Sequence, residues 1–311
     1  MYPVVGGHPI YNVSGTSMFI PEVWSAKLLV KFYAATFLTD ISNTDYEGEI
    51  RNMGDKVHIR TIPDITISDY AIGQNLTYQR PESPSVELTI DKGKYFAFTC
   101  DDIVLHQSDI RLMDSWSSDA GFQMKIAIDR DVLLGMVGQA TATYNRGLTA
   151  GRVSANISLG ASGAPLQLTK ENIINVLVDA RTVLEEQNVP TDEMWMILPM
   201  WAIGKILKSD LKDASLTGDS KSSLRTGLIG SINNFNIYGS NLLYTVTDGT
   251  TATSCWYAFF GHRSALTFAA QLVKMESLRA ESTFGDLIRG LNVYGYKVLK
   301  PAAMGELYIT P

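Results

Sequence analysis

Residues 73–91, GQNLTYQRPESPSVELTID, read as the turn and outgoing arm of a β-hairpin whose incoming arm is residues 56–70, KVHIRTIPDITISDY. Val57, Ile59, Ile65 and Ile67 on the first arm alternate with polar residues. So do Val86, Leu88 and Ile90 on the second, the period-two signature of a half-buried strand. Pro81 and Pro84, around Glu82 and Ser83, predict an open tip. Two antiparallel strands alone are marginally stable in water, so this ribbon needs something to lie on.

Outward from the ribbon the pattern changes. Residues 1–20 are rich in Gly, Pro and Ser without a period and read as an extended arm; Pro21 then opens a helix over 21–38, PEVWSAKLLVKFYAATFL. After the ribbon, KGKYFAFTCDD reads as a strand that hands over to the longest helix in the chain. That helix runs from an N-cap at Asp109 to about Gly138, with Gly121 and Gly135 as weak points. Its stripe is Ile110, Met113, Trp116, Ala120, Met124, Ala127 and Ile128. Helices of this length are uncommon in compact domains, so it acts as a spine.

Beyond a Gly/Ala/Ser/Thr-rich stretch (140–165) lies an α/β section. Thr169 caps a helix with Ile173, Leu177, Ala180 and Leu184 on one face, EMWMILP (193–199) is a short buried strand, and MWAIGKILKSDL (200–211) a short helix. The segments 253–282 and 286–310 are strand-rich and close the chain.

Composition narrows the function. The 311 residues can bury a large core, and 45% hydrophobic content fits a folded chain without low-complexity tracts. Charged residues make up only 19%, which hints that part of the surface meets other protein. A net charge of −6 with no Lys/Arg run argues against a general nucleic-acid-binding surface. Nothing before Lys27 is positively charged, no signal peptide is legible and no apolar run is long enough to span a membrane, so a soluble protein made inside the cell is expected.

Chemical motifs are absent. Cys100 and Cys255 match no zinc or redox spacing and are expected to be reduced core thiols. His8, His58, His106 and His262 stand alone. The segment around Ser162 lacks the nucleophile-elbow spacing, and TGLIGSINNF lacks a P-loop context. Asp129 and Asp131 flank Arg130 but point different ways on a helix, so a solvated or salt-bridged face is expected. The sequons at Asn12, Asn75 and Asn156 would matter only on a secretory route. The expectation is therefore no enzyme, no catalytic, cofactor-binding or metal site, and no cofactor.

The order of parts resembles the major capsid proteins of tailed bacteriophages, which share the Hong Kong ninety-seven capsid fold. GDKVHIRTIPDITISDY (54–70) is similar to the start of that family's extended loop, and residues 92–136 to the strand, acidic turn and spine helix that follow, including Ala127-x-x-x-Asp131. LRTGLIGSINNFNIYGSNLL (224–243) resembles its Gly-containing segment before an Asn/Ser-rich turn, and residues 284–310 its closing strands with a Tyr-Gly pair. The similarity covers residues 20–311. It implies an α+β capsid fold divided into an N-terminal arm (1–46), an extended β-hairpin loop (47–100), a peripheral domain with the spine helix (101–145), an α/β axial domain (146–269) and terminal strands mainly of the peripheral domain (270–311).

It further implies a virion protein, assembled in the host cytoplasm, whose copies form hexamers and pentamers of an icosahedral shell enclosing double-stranded DNA. Each loop would drape over a neighbouring subunit. Partners would be the chain itself, a separate scaffolding protein, a portal and decoration proteins, with no membrane. Lys92 and Lys94 lie near the ribbon's end, but no catalytic Glu and acceptor Asn for covalent cross-linking are assignable. Alternatives are an encapsulin-like compartment, which shares the fold, and an α/β enzyme or binding protein with its pocket in 166–245.

Overall fold

The computed structural model describes residues 36–45, 56–63, 65–83, 85–101, 112–209, 231–250, 252–280 and 284–311. The N-terminal arm, nearly all of the helix expected over 21–38, the Asp109 cap and the segment 210–230 lie outside these residues.

Two sheets form the body. Strands β1 (Lys56–Arg60) and β2 (Ser85–Thr89) make the ribbon's root, and β3 (Lys92–Asp101) follows. A helix, α1 (Leu38–Ile41), precedes them, and the spine, α2 (Leu112–Met136), comes after. Then come β4 (Leu166–Gln167), α3 (Ile173–Glu185), β5 (Met194–Leu198), α4 (Met200–Lys208), β6 (Ser231–Ile232), β7 (Phe235–Gly239) and β8 (Thr245–Thr247). The chain closes with β9 (Ser254–His262), β10 (Leu266–Arg279), β11 (Gly285–Val298) and β12 (Met304–Thr310).

The order β10-β11-β3 makes an antiparallel three-stranded sheet, and β4-β12-β9-β5-β7-β6, with β8 on β9, makes a seven-stranded mixed one. Short 3₁₀ turns at Arg263–Ala265 and Pro301–Ala303 carry β9 into β10 and β11 into β12. Both crossovers therefore run between the sheets, and Leu299 N–H donates to Ala265 O at 2.8 Å to hold them side by side.

Every residue of β5 is buried, as its unbroken apolar run implies. Met194, Met196 and Leu198 face α3, Phe260 and Leu307 in one cluster. Trp195 and Ile197 face a second cluster that holds α1, Tyr294 and the C-terminal half of the spine.

The spine departs from its expected stripe. Ile128, Val132, Leu133 and Met136 are buried, but Ala127 is exposed, and Trp116 and Phe122 keep 40% and 47% of their surface. The helix is long because only its second half serves this chain's core. Gly135, a weak point by propensity, is a contact requirement. A Cβ there would sit 1.9 Å from the Tyr296 hydroxyl.

Candidate assembly surface

The ribbon has two parts with different fates. At its root, Val57 pairs Leu88 and Ile59 pairs Val86. Leu88 and Ile90 are fully buried against Ala269 and Val293, with Val57 and Ile59 packed beside them. Gly295 permits this approach, since a Cβ there would lie 2.3 Å from Thr89 O. The root therefore belongs to the subunit's own core, so the apolar residues of the loop expected over 47–100 are not all left for a neighbour.

Past Arg60 the strands stop. Ile65 and Ile67 are not in a strand, because Pro63 and Pro81 supply no amide donors to a ladder there. The tip is not at Pro81 but at 71–74, where Gln74 N–H donates to Ala71 O at 3.0 Å and Gly73 takes φ +88°. Side chains replace the ladder. Gln79 exchanges two 3.1 Å hydrogen bonds with the main chain of Thr66, and Ser83 Oγ donates to Thr61 O at 2.5 Å.

What this loop displays is apolar. Ile62, Ile67, Ile72 and Tyr78 are each at least 89% exposed, and Ile65, Tyr70 and Leu76 are also open. Single exposed apolar residues are ordinary, but a contiguous set of this kind marks an interaction surface. Arg80 and Glu82 are exposed beside them.

A second open area lies on the body. On the outer face of the three-stranded sheet, Tyr95, Leu287, Leu291 and Leu278 remain uncovered beyond the root. Between them Glu276 bridges Lys274 and Arg289 across β10 and β11. That pairing holds the Glu276 carboxyl below the usual range. On the opposite face of that sheet the spine stands with Trp116 edge-on to Phe98, and Trp116 and Phe122 leave apolar surface open there as well.

The carboxylates of the spine are not alike. Asp131 is salt-bridged, as expected: its Oδ2 accepts from Lys92 Nζ at 3.0 Å and from the Tyr294 hydroxyl at 2.9 Å. Asp129 is not solvated. It is 5% exposed and accepts the Phe37 N–H at 3.1 Å at the start of α1. Burial pushes its pKa up to about 6, against the pull of the amides of Phe37 and Leu38. Burial likewise raises Glu306, whose Oε2 accepts the Gly138 N–H at 2.7 Å just past the spine.

The remaining sequence candidates lie apart. His58 is exposed near Glu87 at 3.6 Å, and His262 Nδ1 contacts Ser264 Oγ at 2.9 Å. Cys100 and Cys255 are buried free thiols, as expected, and Lys94 is half-buried on β3. Ser162 and Tyr308 both hydrogen-bond Asp248. His8, His106 and Asn12 lie outside the described residues. Among the described residues, no cluster of His, Cys, Asp and Glu could hold a metal ion, and no helix is long and apolar enough to cross a membrane.

The sequence reading missed the joint of Lys92, Asp131, Tyr294 and Tyr296. Its signal was available as two tyrosines two apart on a strand, facing a helix that carries an acid and a glycine four residues on.

Known proteins match this architecture. The profile of the family described as phage capsid protein matches residues 83–306. A solved structure from Mycobacterium phage Che8 is 26% identical, with 93% of this chain and 97% of that chain covered at a TM-score of 0.74. The capsid of cyanophage P-SCSP1u is 15% identical, covering 100% and 99% at 0.71. The capsid of a native GTA particle is 12% identical, covering 96% and 98% at 0.63. No curated protein matches the chain in sequence.

Proposed function

The chain belongs to the phage capsid protein family, and from that premise we propose how its parts divide the work of building a shell. It is a structural major capsid protein whose copies form the icosahedral shell of the virion. The proposal concerns the finer organisation. Copies join as hexamers and pentamers, each loop 61–83 lies over a neighbouring subunit, and the body between the loops closes the wall. The subunit does no chemistry.

The observation that supports this reading most is the loop's uncovered apolar side chains. Burying one such side chain is worth about 1.5–3 kcal/mol. Association costs about 4–15 kcal/mol in lost freedom, so one residue cannot hold two subunits together but several on one loop can. The outer face of the three-stranded sheet and the open half of the spine offer matching apolar area on the neighbour.

The expected scaffolding protein, portal and decoration proteins belong to the same proposal, as do assembly in the host cytoplasm and enclosure of double-stranded DNA. With a net charge of −6, the chain suits enclosure without a tight grip on the genome. Light scattering and negative-stain images of purified protein test the organisation. Closed shells with six- and five-fold clusters are expected. A protein that stays monomeric in every condition, including with a scaffolding partner, overturns it.

A further inference from the structure

The ribbon meets the body at a two-residue link, Ile90–Asp91, between β2 and β3. Both faces of the three-stranded sheet are engaged there. On the outer face Leu88 and Ile90 pack on Ala269 and Val293. On the inner face Lys92 turns toward the spine and donates to Asp131 Oδ2 at 3.0 Å and to the Tyr296 hydroxyl at 2.9 Å. The Tyr296 hydroxyl in turn donates to the main-chain oxygen of Asp131 at 2.9 Å, and Tyr294 donates to Asp131 Oδ2 at 2.9 Å.

The Lys92 ammonium also lies 4.4 Å from the centre of the Tyr296 ring. Three of these hydrogen bonds close a ring through Lys92, Tyr296 and Asp131, and Tyr294 adds a fourth to the Asp131 carboxylate. Burial works against the Lys92 charge, but its hydrogen bonds to Tyr296 and Asp131 outweigh that, and its pKa lies above the ordinary lysine value. Gly135 leaves the space that Tyr296 occupies.

We propose that Lys92, Asp131, Tyr294 and Tyr296 form a rigid elbow that sets the direction in which the ribbon leaves the body, with Lys92 as its positioning residue. The inference rests on the reading that the loop reaches a neighbour. Stability alone gives a polar ring of this kind little purpose, because a partly exposed ion pair adds little to it. Direction is a different matter. From the elbow to the turn at 71–74 the ribbon reaches up to about 55 Å, so a tilt of about 10° at the elbow moves the tip by about 10 Å. That displacement exceeds any contact distance, and it repeats at every subunit, so the elbow acts on the curvature of the wall.

The test compares Lys92→Met, Tyr296→Phe and Lys92→Arg with wild type by thermal melting and by the diameter distribution of assembled shells. A scaffolding partner is included if wild type requires one. Leu177→Val, in the cluster on the other side of β5, serves as a control that loosens the core away from the elbow. Lys92→Met and Tyr296→Phe are expected to stay folded and to give shells spread over several diameters or left open. Lys92→Arg keeps the cation and restores a single diameter, and Leu177→Val lowers the melting temperature without changing the diameter. If Lys92→Met does not fold, Tyr296→Phe decides, since it removes one hydroxyl and keeps the ring. Folded elbow variants with one wild-type diameter overturn the proposal, as does a Leu177→Val control that spreads diameters equally. If wild type itself never forms shells, the shell organisation fails and not the elbow.

Discussion

The root and the tip of the ribbon carry the same kind of sequence and have opposite surroundings. Leu88 and Ile90 have no exposed surface, whereas Ile67 and Ile72, at the far end, are 89% and 100% exposed. Both ends are apolar residues alternating with polar ones. The root is covered by the body's own sheet, and the tip has nothing in its own chain to lie on. Hydrophobic patterning tells which residues require cover and is silent on which molecule supplies it.

The largest expected effect comes from removing the tip. Replacing residues 62–83 with a short Gly/Ser turn leaves Leu88, Ile90 and the body untouched. Circular dichroism and melting should show a folded subunit, while sedimentation should show that shells are lost. Normal shells from the shortened chain would break the comparison, and so would an unfolded one.

The opposite experiment cuts the root. Leu88→Ala empties a fully buried site and should cost about 2–5 kcal/mol of unfolding free energy in urea titrations. Ile72→Ala, at a fully exposed site, should stay within about 0.5 kcal/mol of wild type. Equal losses at the two sites would mean that the tip, too, packs within its own subunit.

A smaller effect separates body from tip by pH. Asp129 has a folded pKa near 6, raised from the model-peptide value of 3.8. The folded state therefore binds this proton more tightly than the unfolded chain does. The stability it gives is full below pH 4 and is lost as pH rises through 6. Relative to Asp129→Asn, wild type should lose about 2–3 kcal/mol between pH 4 and pH 7. Glu306 and the surface carboxylates are common to both proteins and cancel. The measurement is the difference in unfolding free energy between the two proteins at each pH. A flat difference would show that folding leaves the Asp129 pKa unshifted. The same substitution should leave the tip unaffected, since Asp69, Arg80 and Glu82 are all exposed.

How much of this was legible depended on whether a residue's neighbour is close in sequence. The spine, the α3 helix with Ile173, Leu177, Ala180 and Leu184, and the buried strand β5 were readable from period and run length, because such patterns are local. The turn at 71–74 was hidden behind the prolines at 81 and 84, which looked like the stronger turn signal. Pro81, like Pro63 on the facing arm, acts instead by denying strand hydrogen bonds. The cover over Leu88 and Ile90 comes from Ala269 and Val293, some 180 and 200 residues away, and no local pattern announces that. Asp129 was misjudged for the same reason: its partner is the main-chain amide of Phe37, which has no sequence signature at all. The elbow fell between these cases, with each member visible and the meeting of all four invisible.

The crossing of β9 into β10 and β11 into β12 has a consequence for the order in which the protein can be made. Strand β3 pairs Gly93–Asp101 with residues 285–293 of β11, and β12 joins the other sheet after that. A ribosome that has synthesised the ribbon, the spine and the α/β section has still released no strand that can close either sheet. Neither the root nor the elbow has its partners until Val293, Tyr294 and Tyr296 emerge. A nascent chain therefore carries a loop whose direction is not set until β11 has emerged to pair with β3.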